Sequence, residues 1–325
     1  FVLRYLLHTD APRPHPGGLD LLKGCELIVP ALWNVEVANA LVQAALPHAG
    51  RSVRLGVTGA PGVGKSTFIE AFGLILTGQG LRVAVLAVDP SSTRSGGSIL
   101  GDKTRMERLS RDPLAFIRPS PSQTQLGGVA RRTRYAVALC EAAGFDVVLI
   151  ETVGVGQSET LVSGMADIFL LLLAPAGGDE LQGVKRGIME LADLIVVNKA
   201  DGDLKPAALR TLSDYSGALQ LLRRRSQDMQ GFPKALAASS VEGSGLAEIW
   251  TAIMALSGWR KAQGHWALAR VAQARLWFED EVRDGLLARL TEDARLRHEM
   301  ESLGRQVEAG LLPAVAAARL LASLK

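Results

Sequence analysis

A glycine-rich run at residues 59–67 follows directly on the apolar segment 53–58. The run reads GAPGVGKST and fits the pattern GxxxxGK followed by Ser or Thr, which is typical of a phosphate-binding loop between a strand and a helix. In such a loop, backbone N–H groups turn toward the phosphates, the lysine adds a positive charge, and the first hydroxyl can hold Mg²⁺. The residues expected to contact a nucleoside triphosphate are Gly59, Ala60, Pro61, Gly62, Val63, Gly64, Lys65, Ser66 and Thr67.

Short apolar segments recur along the chain, and helix-length stretches separate most of them. The segments lie at residues 53–58, 83–88, 145–150, 167–173 and 194–198. This alternation predicts a mostly parallel sheet, and because several segments are apolar at every position, helices should cover both of its faces. The predicted fold class is α/β, a doubly wound, mostly parallel sheet of the P-loop type with a C-terminal helical extension.

The same pattern divides the chain into three regions. Residues 1–49 form an N-terminal segment that is partly helical, residues 50–257 form the P-loop domain, and residues 258–325 are helical, with apolar side chains at mostly helical spacing. The apolar stripes of the last region could cover the main core, or they could form an arm that needs a partner surface such as a second copy of the chain. Both interpretations stay open.

Composition argues against several classes of function. The 325 residues include 36 basic and 33 acidic side chains, a formal net charge of +3, so we expect no general attraction for nucleic acid. Cys25 and Cys140 are the only cysteines, which excludes a disulfide framework and suits a reducing compartment. The five histidines are scattered, and because no Cys/His cluster has ligand spacing, we expect no dedicated transition-metal site. The longest strongly apolar segment, 168–174, is too short to cross a bilayer, so we expect no membrane span.

A second motif, NKAD at residues 198–201, follows the apolar segment 194–197. The aspartate carboxylate of such a motif can accept hydrogen bonds from both the N1–H and the N2–H₂ donors of guanine, a pair that adenine lacks. Four letters alone are a weak match and could mark a polar turn after a strand. Their position downstream of a phosphate loop favours recognition of guanine by Asn198, Lys199 and Asp201.

Three carboxylates lie where loops should leave the carboxyl edge of the sheet, which is the edge where open α/β sheets bind ligands. They belong to Asp89, Asp102 and Glu151. Because Mg²⁺ prefers oxygen ligands, these side chains predict a Mg²⁺ site together with Ser66. Each carboxylate could instead cap a helix or close a turn, but their joint occurrence favours the metal site.

Residues 151–154, ETVG, occupy the place where many GTPases carry DxxG, whose glycine N–H senses the γ-phosphate. A glutamate replaces the aspartate of that pattern. Gln157 follows shortly after and is a candidate for orienting the attacking water, although it could equally serve an interface with a partner protein.

With these motifs the chain resembles the MeaB/MMAA, or ArgK-like, family of GTPases, chaperones of adenosylcobalamin-dependent methylmalonyl-CoA mutase. The resemblance covers about residues 51–225. Its most specific stretches are AVDPSST at 87–93, GGSILGDKTRM at 96–106, IRPSP at 117–121, ETVGVGQSE at 151–159 and GGDELQG at 177–183.

The resemblance implies further roles. Ser66, Asp89, Asp102 and Glu151 would surround Mg²⁺ directly or through water, and Ser239 with Ser240 would form a later loop that contacts the base. Three segments, at residues 91–103, 152–159 and 176–185, resemble switches that respond to the nucleotide, the last of them facing the mutase. The C-terminal helices resemble the dimerisation arm of the family.

The expected function is that of a Mg²⁺-dependent GTPase that produces GDP and assists the assembly, cofactor loading or protection of an adenosylcobalamin-dependent acyl-CoA mutase such as methylmalonyl-CoA mutase. We expect a homodimer in the cytoplasm, or in the mitochondrial matrix of a eukaryote. The alternative is a P-loop kinase of the transport-kinase type that transfers phosphate to a protein or a small molecule. A third hypothesis is a dimer scaffold that the nucleotide only stabilises. The residues expected at the reacting phosphate are Lys65, Asp89, Asp102, Glu151 and Gln157.

Overall fold

The computed structural model describes residues 51–88, 106–118, 126–152, 158–175 and 186–323. Several sequence-based predictions lie outside these ranges. They are the partly helical segment 1–49, the switch-like segments 91–103 and 176–185, residues 153–157 of the switch-like segment 152–159, and the site residues Asp89, Asp102 and Gln157.

The described residues form one sheet of seven strands. Their order across the sheet is β3-β2-β4-β1-β5-β6-β7, and each neighbouring pair is parallel, which confirms the predicted α/β class. The strands are β1 (Val53–Gly59), β2 (Val83–Val88), β3 (Ala115–Arg118), β4 (Val147–Thr152), β5 (Ile168–Leu173), β6 (Leu194–Val197) and β7 (Lys234–Ala237).

Five of these strands, β1, β2, β4, β5 and β6, were predicted from the apolar segments, and each is buried at every position. The other two, β3 and β7, were not predicted. Both lie at the edges of the sheet, where some of their side chains stay partly exposed. Their sequences, AFIR and KALA, therefore lack a continuous apolar pattern.

Helices connect most of the strands and continue to the end of the described chain. Among the helices of the described residues, none is both long enough and apolar enough to cross a membrane. A short 3₁₀ helix spans Gly202–Leu204, directly before the helix that begins at Lys205. The helices are α1 (Lys65–Gly78), α2 (Glu107–Ser110), α3 (Leu126–Ala142), α4 (Ser158–Ser163), α5 (Arg186–Leu191), α6 (Lys205–Gln220), α7 (Leu246–Ala262), α8 (His265–Glu292), α9 (Ala294–Glu308) and α10 (Ala314–Ser323).

Helices cover both faces of the sheet because successive strand residues point to opposite sides. On one face, Leu172 of β5 shares a core with Phe68 and Phe72 of α1, whose rings stack with their centroids 5.4 Å apart. On the other face, Leu171 packs in a core with Tyr215 of α6. Apolar burial on both sides fixes the sheet between its helices and leaves the strand ends free to carry polar groups.

Buried ion pairs tie the amino ends of the strands to helices. Just before β5, Asp167 accepts hydrogen bonds from Nε and Nη2 of Arg270 in α8, at 2.8 and 2.7 Å. Just before β6, Asp193 pairs with Arg260 of α7, with an N to O distance of 2.5 Å. Because the nucleotide motifs follow the carboxyl ends of the strands, these ion pairs lie at the opposite edge of the sheet.

The chain divides into two compact units, one ending at Arg270 and the other spanning Val271–Lys325. Within the second unit α9 packs against α10, and Leu303 and Ala317 are buried. The C-terminal helical extension is therefore confirmed. The boundary between residues 257 and 258 stays a prediction.

Candidate nucleotide-binding site

The phosphate loop connects the end of β1 to the start of α1. Gly64, directly before the helix, has a φ of 89°, a left-handed conformation that favours glycine. A Cβ at this position would lie 2.9 Å from Nδ2 of Asn198. Glycine is therefore needed for both the backbone turn and the close approach of the guanine motif. The loop residues that remain exposed are Ala60, Pro61, Gly62 and Thr67, whereas Val63 is buried.

Lys65 begins α1, and its ammonium group folds back onto the loop. Nζ donates hydrogen bonds to the carbonyl oxygens of Gly59 at 2.7 Å and Ala60 at 3.2 Å. Burial lowers the pKa of Lys65, and the negative charges of Glu151 and Glu159 oppose that shift. A cation held in this way next to the loop is placed to interact with phosphate oxygens.

Ser66 and Glu151 are the two predicted metal ligands within the described residues. Glu151 is buried near the carboxyl end of β4, and the hydroxyl of Ser66 donates to its Oε1 at 3.5 Å, which is a long hydrogen bond. A hydroxyl and a carboxylate that meet at the end of the phosphate loop fit the oxygen ligands that Mg²⁺ prefers. Within the described ranges, no group of three or more Asp, Glu, His or Cys side chains could hold a metal ion, and Asp89 and Asp102 lie outside those ranges.

The guanine motif contacts the phosphate loop directly. Nδ2 of Asn198 donates to the carbonyl of Val63 at 3.0 Å, and Oδ1 accepts from the hydroxyl of Ser240 at 2.7 Å. Lys199 has a left-handed φ of 58°, and its Nζ donates to the carbonyl of Gly62 at 2.7 Å. Asn198 therefore joins three loops that come from distant parts of the sequence.

Asp201 is oriented by the loop that follows β7. The hydroxyl of Ser239 donates to Oδ2 of Asp201, and the backbone N–H of Glu242 donates to the same Ser239 oxygen at 3.0 Å. Ala200 and Ala238 are also joined by a backbone hydrogen bond of 3.0 Å. The structure thus brings Asn198, Lys199 and Asp201 together with Ser239 and Ser240, the pair that the resemblance assigned to the base.

Glu159 was not singled out from the sequence. It lies in α4, shortly after the ETVG motif, and is only 4% exposed. Its charge acts on Lys65 in the same direction as that of Glu151. An acidic residue in the first turn of a short helix normally marks helix capping, so the sequence pattern did not separate Glu159 from an ordinary surface residue.

This chain is similar to a described protein family and to several named proteins over most of its length. Residues 31–295 match the family described as the methylmalonyl Co-A mutase-associated GTPase MeaB. A putative GTPase of Caulobacter vibrioides is 54% identical and covers 88% of this chain and 87% of its own. The methylmalonic aciduria type A homolog of Mus musculus, a mitochondrial protein, is 50% identical over 82% of this chain, which spans 64% of the mouse protein.

Two further likenesses bear on the kinase alternative. The GTPase ArgK of Escherichia coli is 50% identical over 78% of this chain and 76% of its own. A crystal structure of a LAO/AO transport system kinase superposes with a TM-score of 0.69 at 36% identity, covering 99% of this chain and 95% of the other. Because the ArgK relative is described as a GTPase, the likeness favours GTP hydrolysis over phosphate transfer to another acceptor.

The family match includes both the phosphate loop and the guanine motif, which the structure places in contact. In the aligned regions, which cover 88% and 78% of this chain, 54% and 50% of the residues are identical to those of two proteins described as GTPases. The chain is therefore a P-loop GTPase that belongs to the methylmalonyl-CoA mutase-associated MeaB family.

Proposed function

We propose that this GTPase is a chaperone of an adenosylcobalamin-dependent acyl-CoA mutase, with methylmalonyl-CoA mutase as the first candidate. It would assist the assembly, the cofactor loading or the protection of that enzyme. The observation that carries the proposal is the match of residues 31–295 to a family described as mutase-associated.

Guanine selection rests on Asp201. Its carboxylate would accept the N1–H and N2–H₂ donors of the base, while the hydroxyl of Ser239 holds it in place. Asn198 would keep this base site at a fixed distance from the phosphate loop through its bond to Val63. Adenine offers no matching pair of donors, so the Asp201 carboxylate would lack these two hydrogen bonds once the base covers it.

Hydrolysis to GDP rests on positioning and charge at the loop. Backbone N–H groups of residues 59–67 would surround the phosphates, and Lys65 would exchange its bonds to Gly59 and Ala60 for phosphate oxygens. Ser66, Asp89, Asp102 and Glu151 would hold Mg²⁺, which supplies Lewis-acid stabilisation of the charge on the transferred phosphoryl group when it is bound. Gln157 is proposed to orient the attacking water.

Coupling to the partner rests on the segments that follow the strands. Bound GTP would order residues 91–103, the part of segment 152–159 that follows Thr152 at the end of β4, and residues 176–185. Hydrolysis would release them, so that the nucleotide state becomes a conformation that the mutase reads. The last segment follows β5 and is proposed to face the mutase.

Dimerisation is proposed for the helices of the second unit. Phe278, Val282 and Leu286 of α8 recur every four residues and are 67%, 45% and 59% exposed, and a row of exposed apolar side chains on one helix is typical of an interaction surface. A second copy of the chain would bury them. We place the protein in the cytoplasm, or in the mitochondrial matrix if its source is a eukaryote.

Hydrolysis assays with and without the mutase test this proposal. Purified protein is mixed with GTP and Mg²⁺, and phosphate release is measured alone and with methylmalonyl-CoA mutase. We expect slow turnover alone and a clear increase with the mutase, because the partner would complete the site. An unchanged rate, together with no capture of the mutase by protein loaded with a non-hydrolysable GTP analogue, would contradict the chaperone role. Phosphate transfer to an acceptor other than water would instead support a kinase.

A further inference from the structure

Two buried hydroxyl groups join the phosphate-loop strand to the strand that carries Glu151. Thr58 is the residue of β1 directly before Gly59, and Thr152 is the last residue of β4. Their Oγ1 atoms lie 2.9 Å apart, and the two residues are 1% and 0% exposed. Either hydroxyl can be the donor, and the bond connects positions that are 94 residues apart in the chain.

This bond lies where the backbone pairing between β1 and β4 ends. The last pair in register between these strands is Val57 with Glu151. One residue further, Thr58 is in register with Leu171 of β5, and Thr152 with Val88 of β2. The hydroxyl bond therefore joins β1 to β4 one residue beyond their last pair in register, directly before the phosphate loop begins.

The position of the bond connects it to both sides of the candidate metal site. Gly59, whose carbonyl binds Lys65, directly follows Thr58, and Glu151 directly precedes Thr152. Because successive strand residues point to opposite faces, the hydroxyl pair and the Glu151 carboxylate lie on different faces of the sheet. The hydroxyl bond on one face can therefore set the distance between β1 and β4. That distance also determines how far the phosphate loop lies from the Glu151 carboxylate on the other face.

We propose that Thr58 and Thr152 form a positioning pair that sets the separation between the phosphate loop and Glu151, and through it the Mg²⁺ dependence of nucleotide binding. The pair touches neither the nucleotide nor the metal in this account. The inference rests on the proposed role of Ser66 and Glu151 at Mg²⁺.

Threonine offers variants that separate positioning from general stability. Thr58→Val and Thr152→Val keep the shape of the side chain and remove the hydroxyl, which leaves the other hydroxyl buried without its partner. Thr58→Ser and Thr152→Ser keep the hydroxyl. Thr77→Val is the matched control, because Thr77 is also buried and donates to Asp112 at 2.6 Å, but from the far end of α1.

The test is a Mg²⁺ titration of the binding of fluorescent GDP to the full chain, after thermal melting has shown that each variant is folded. We expect each valine variant to need about fivefold more Mg²⁺ for half-maximal binding, the effect of about one hydrogen bond. The double valine variant should shift by less than the product of the single shifts, since it leaves no unpaired hydroxyl. Affinity without Mg²⁺ should not change, and the serine variants should behave as wild type.

Three results would overturn the positioning role, and a fourth would overturn the metal site on which it rests. Valine variants with the wild-type Mg²⁺ requirement would leave the pair with a structural role alone, as would an equal shift in Thr77→Val. Should a valine variant fail to fold, Thr58→Ala and Thr152→Ala are compared with the serine variants, and equal Mg²⁺ requirements would contradict the positioning role. If wild-type protein binds GDP with no dependence on Mg²⁺, the proposed metal site itself is wrong, which is a different outcome from an unmoved variant.

Discussion

Asn198 donates a hydrogen bond from its side-chain amide to the main-chain carbonyl of Val63, with Nδ2 3.0 Å from the oxygen. The two residues are 135 positions apart, and the bond joins the guanine motif to the phosphate loop. The same side chain accepts a bond from the hydroxyl of Ser240. One buried amide thus holds the three loops that are proposed to surround the nucleotide.

Replacing Asn198 should weaken nucleotide binding more than it weakens the fold. Asn198→Ala removes both bonds and leaves the Ser240 hydroxyl without this acceptor, so we expect the Kd for GTP to rise about tenfold or more and stability to fall by about 1–3 kcal/mol. Calorimetry and thermal melting measure the two effects. Ser240→Ala, which leaves the bond to Val63 in place, should give a smaller rise in Kd. Equal GTP affinity of Asn198→Ala and wild type would contradict the structural role of this amide.

Asp201→Asn should change base selectivity. An amide offers a donor where the carboxylate offers an acceptor, so binding of GTP should fall by about 100-fold while binding of xanthosine triphosphate, which has an oxygen at the 2-position, should improve. Competition between the two nucleotides measures the change. Asp203→Asn is the control, because Asp203 is exposed in the neighbouring 3₁₀ helix. Unchanged selectivity in Asp201→Asn would show that the base is read elsewhere.

The ion pair between Arg260 and Asp193 should matter for stability. Both side chains are buried, and Asp193 also accepts from the backbone N–H of Phe169 at 2.9 Å. Arg260→Met leaves Asp193 with Arg225 as its remaining arginine partner, at an N to O distance of 2.7 Å, so we expect a loss of about 1–3 kcal/mol in the free energy of unfolding.

A surface pair provides the control for that measurement. Glu279→Gln breaks the exposed pair between Arg275 and Glu279, and it should change the free energy of unfolding by less than about 0.5 kcal/mol. Denaturant unfolding of both variants makes the comparison. Similar small losses in the two variants would contradict a structural role for the buried pair.

Cys140 should be unreactive in the folded protein. Burial raises the pKa of its thiol to about 12, while the charge of Arg118 opposes the shift. In a Cys25→Ser background, a thiol reagent at pH 8 should label Cys140 slowly in the native protein and rapidly after denaturation, because the thiolate is the reactive form. Fast labelling of the native protein would contradict this prediction.

The same shift makes stability depend on pH in the alkaline range. Since the pKa of Cys140 is higher in the folded state, folding favours the protonated thiol. This contribution is fully present below the ordinary thiol pKa of 9.0 and is lost as the pH rises toward about 12. Cys140→Ala should therefore show a weaker decline in melting temperature between these pH values than the Cys25→Ser parent.

Much of the fold could be predicted because the inner strands are mostly apolar, and some of them are apolar at every position. β2 and β5 contain only apolar residues, and this composition predicts strands that are buried on both faces. β3 and β7 were missed because an edge strand of four residues needs no continuous apolar run. The phosphate loop could also be predicted from the sequence, because the spacing of its glycines, lysine and serine follows from the turn that the backbone makes around the phosphates.

The contacts that join the site could not be predicted from the sequence. The bonds from Asn198 to Val63 and between Thr58 and Thr152 link residues about a hundred positions apart, and no local pattern names the partner of a polar side chain. The pair of Arg270 with Asp167 shows the same limit, because either residue alone has the signature of a solvated surface charge. Topology brings these groups together, and only the folded chain shows which ones meet.

Calorimetric titration of the wild-type chain with GTP in magnesium buffer tests the central claim most directly. We predict that a single GTP binds to each chain and that ATP binds at least about 100-fold more weakly, because the Asp201 carboxylate accepts from two donors that only guanine offers. The absence of GTP binding to folded protein, or equal affinity for ATP, would contradict the assignment of residues 59–67 and 198–201 to one guanine nucleotide site.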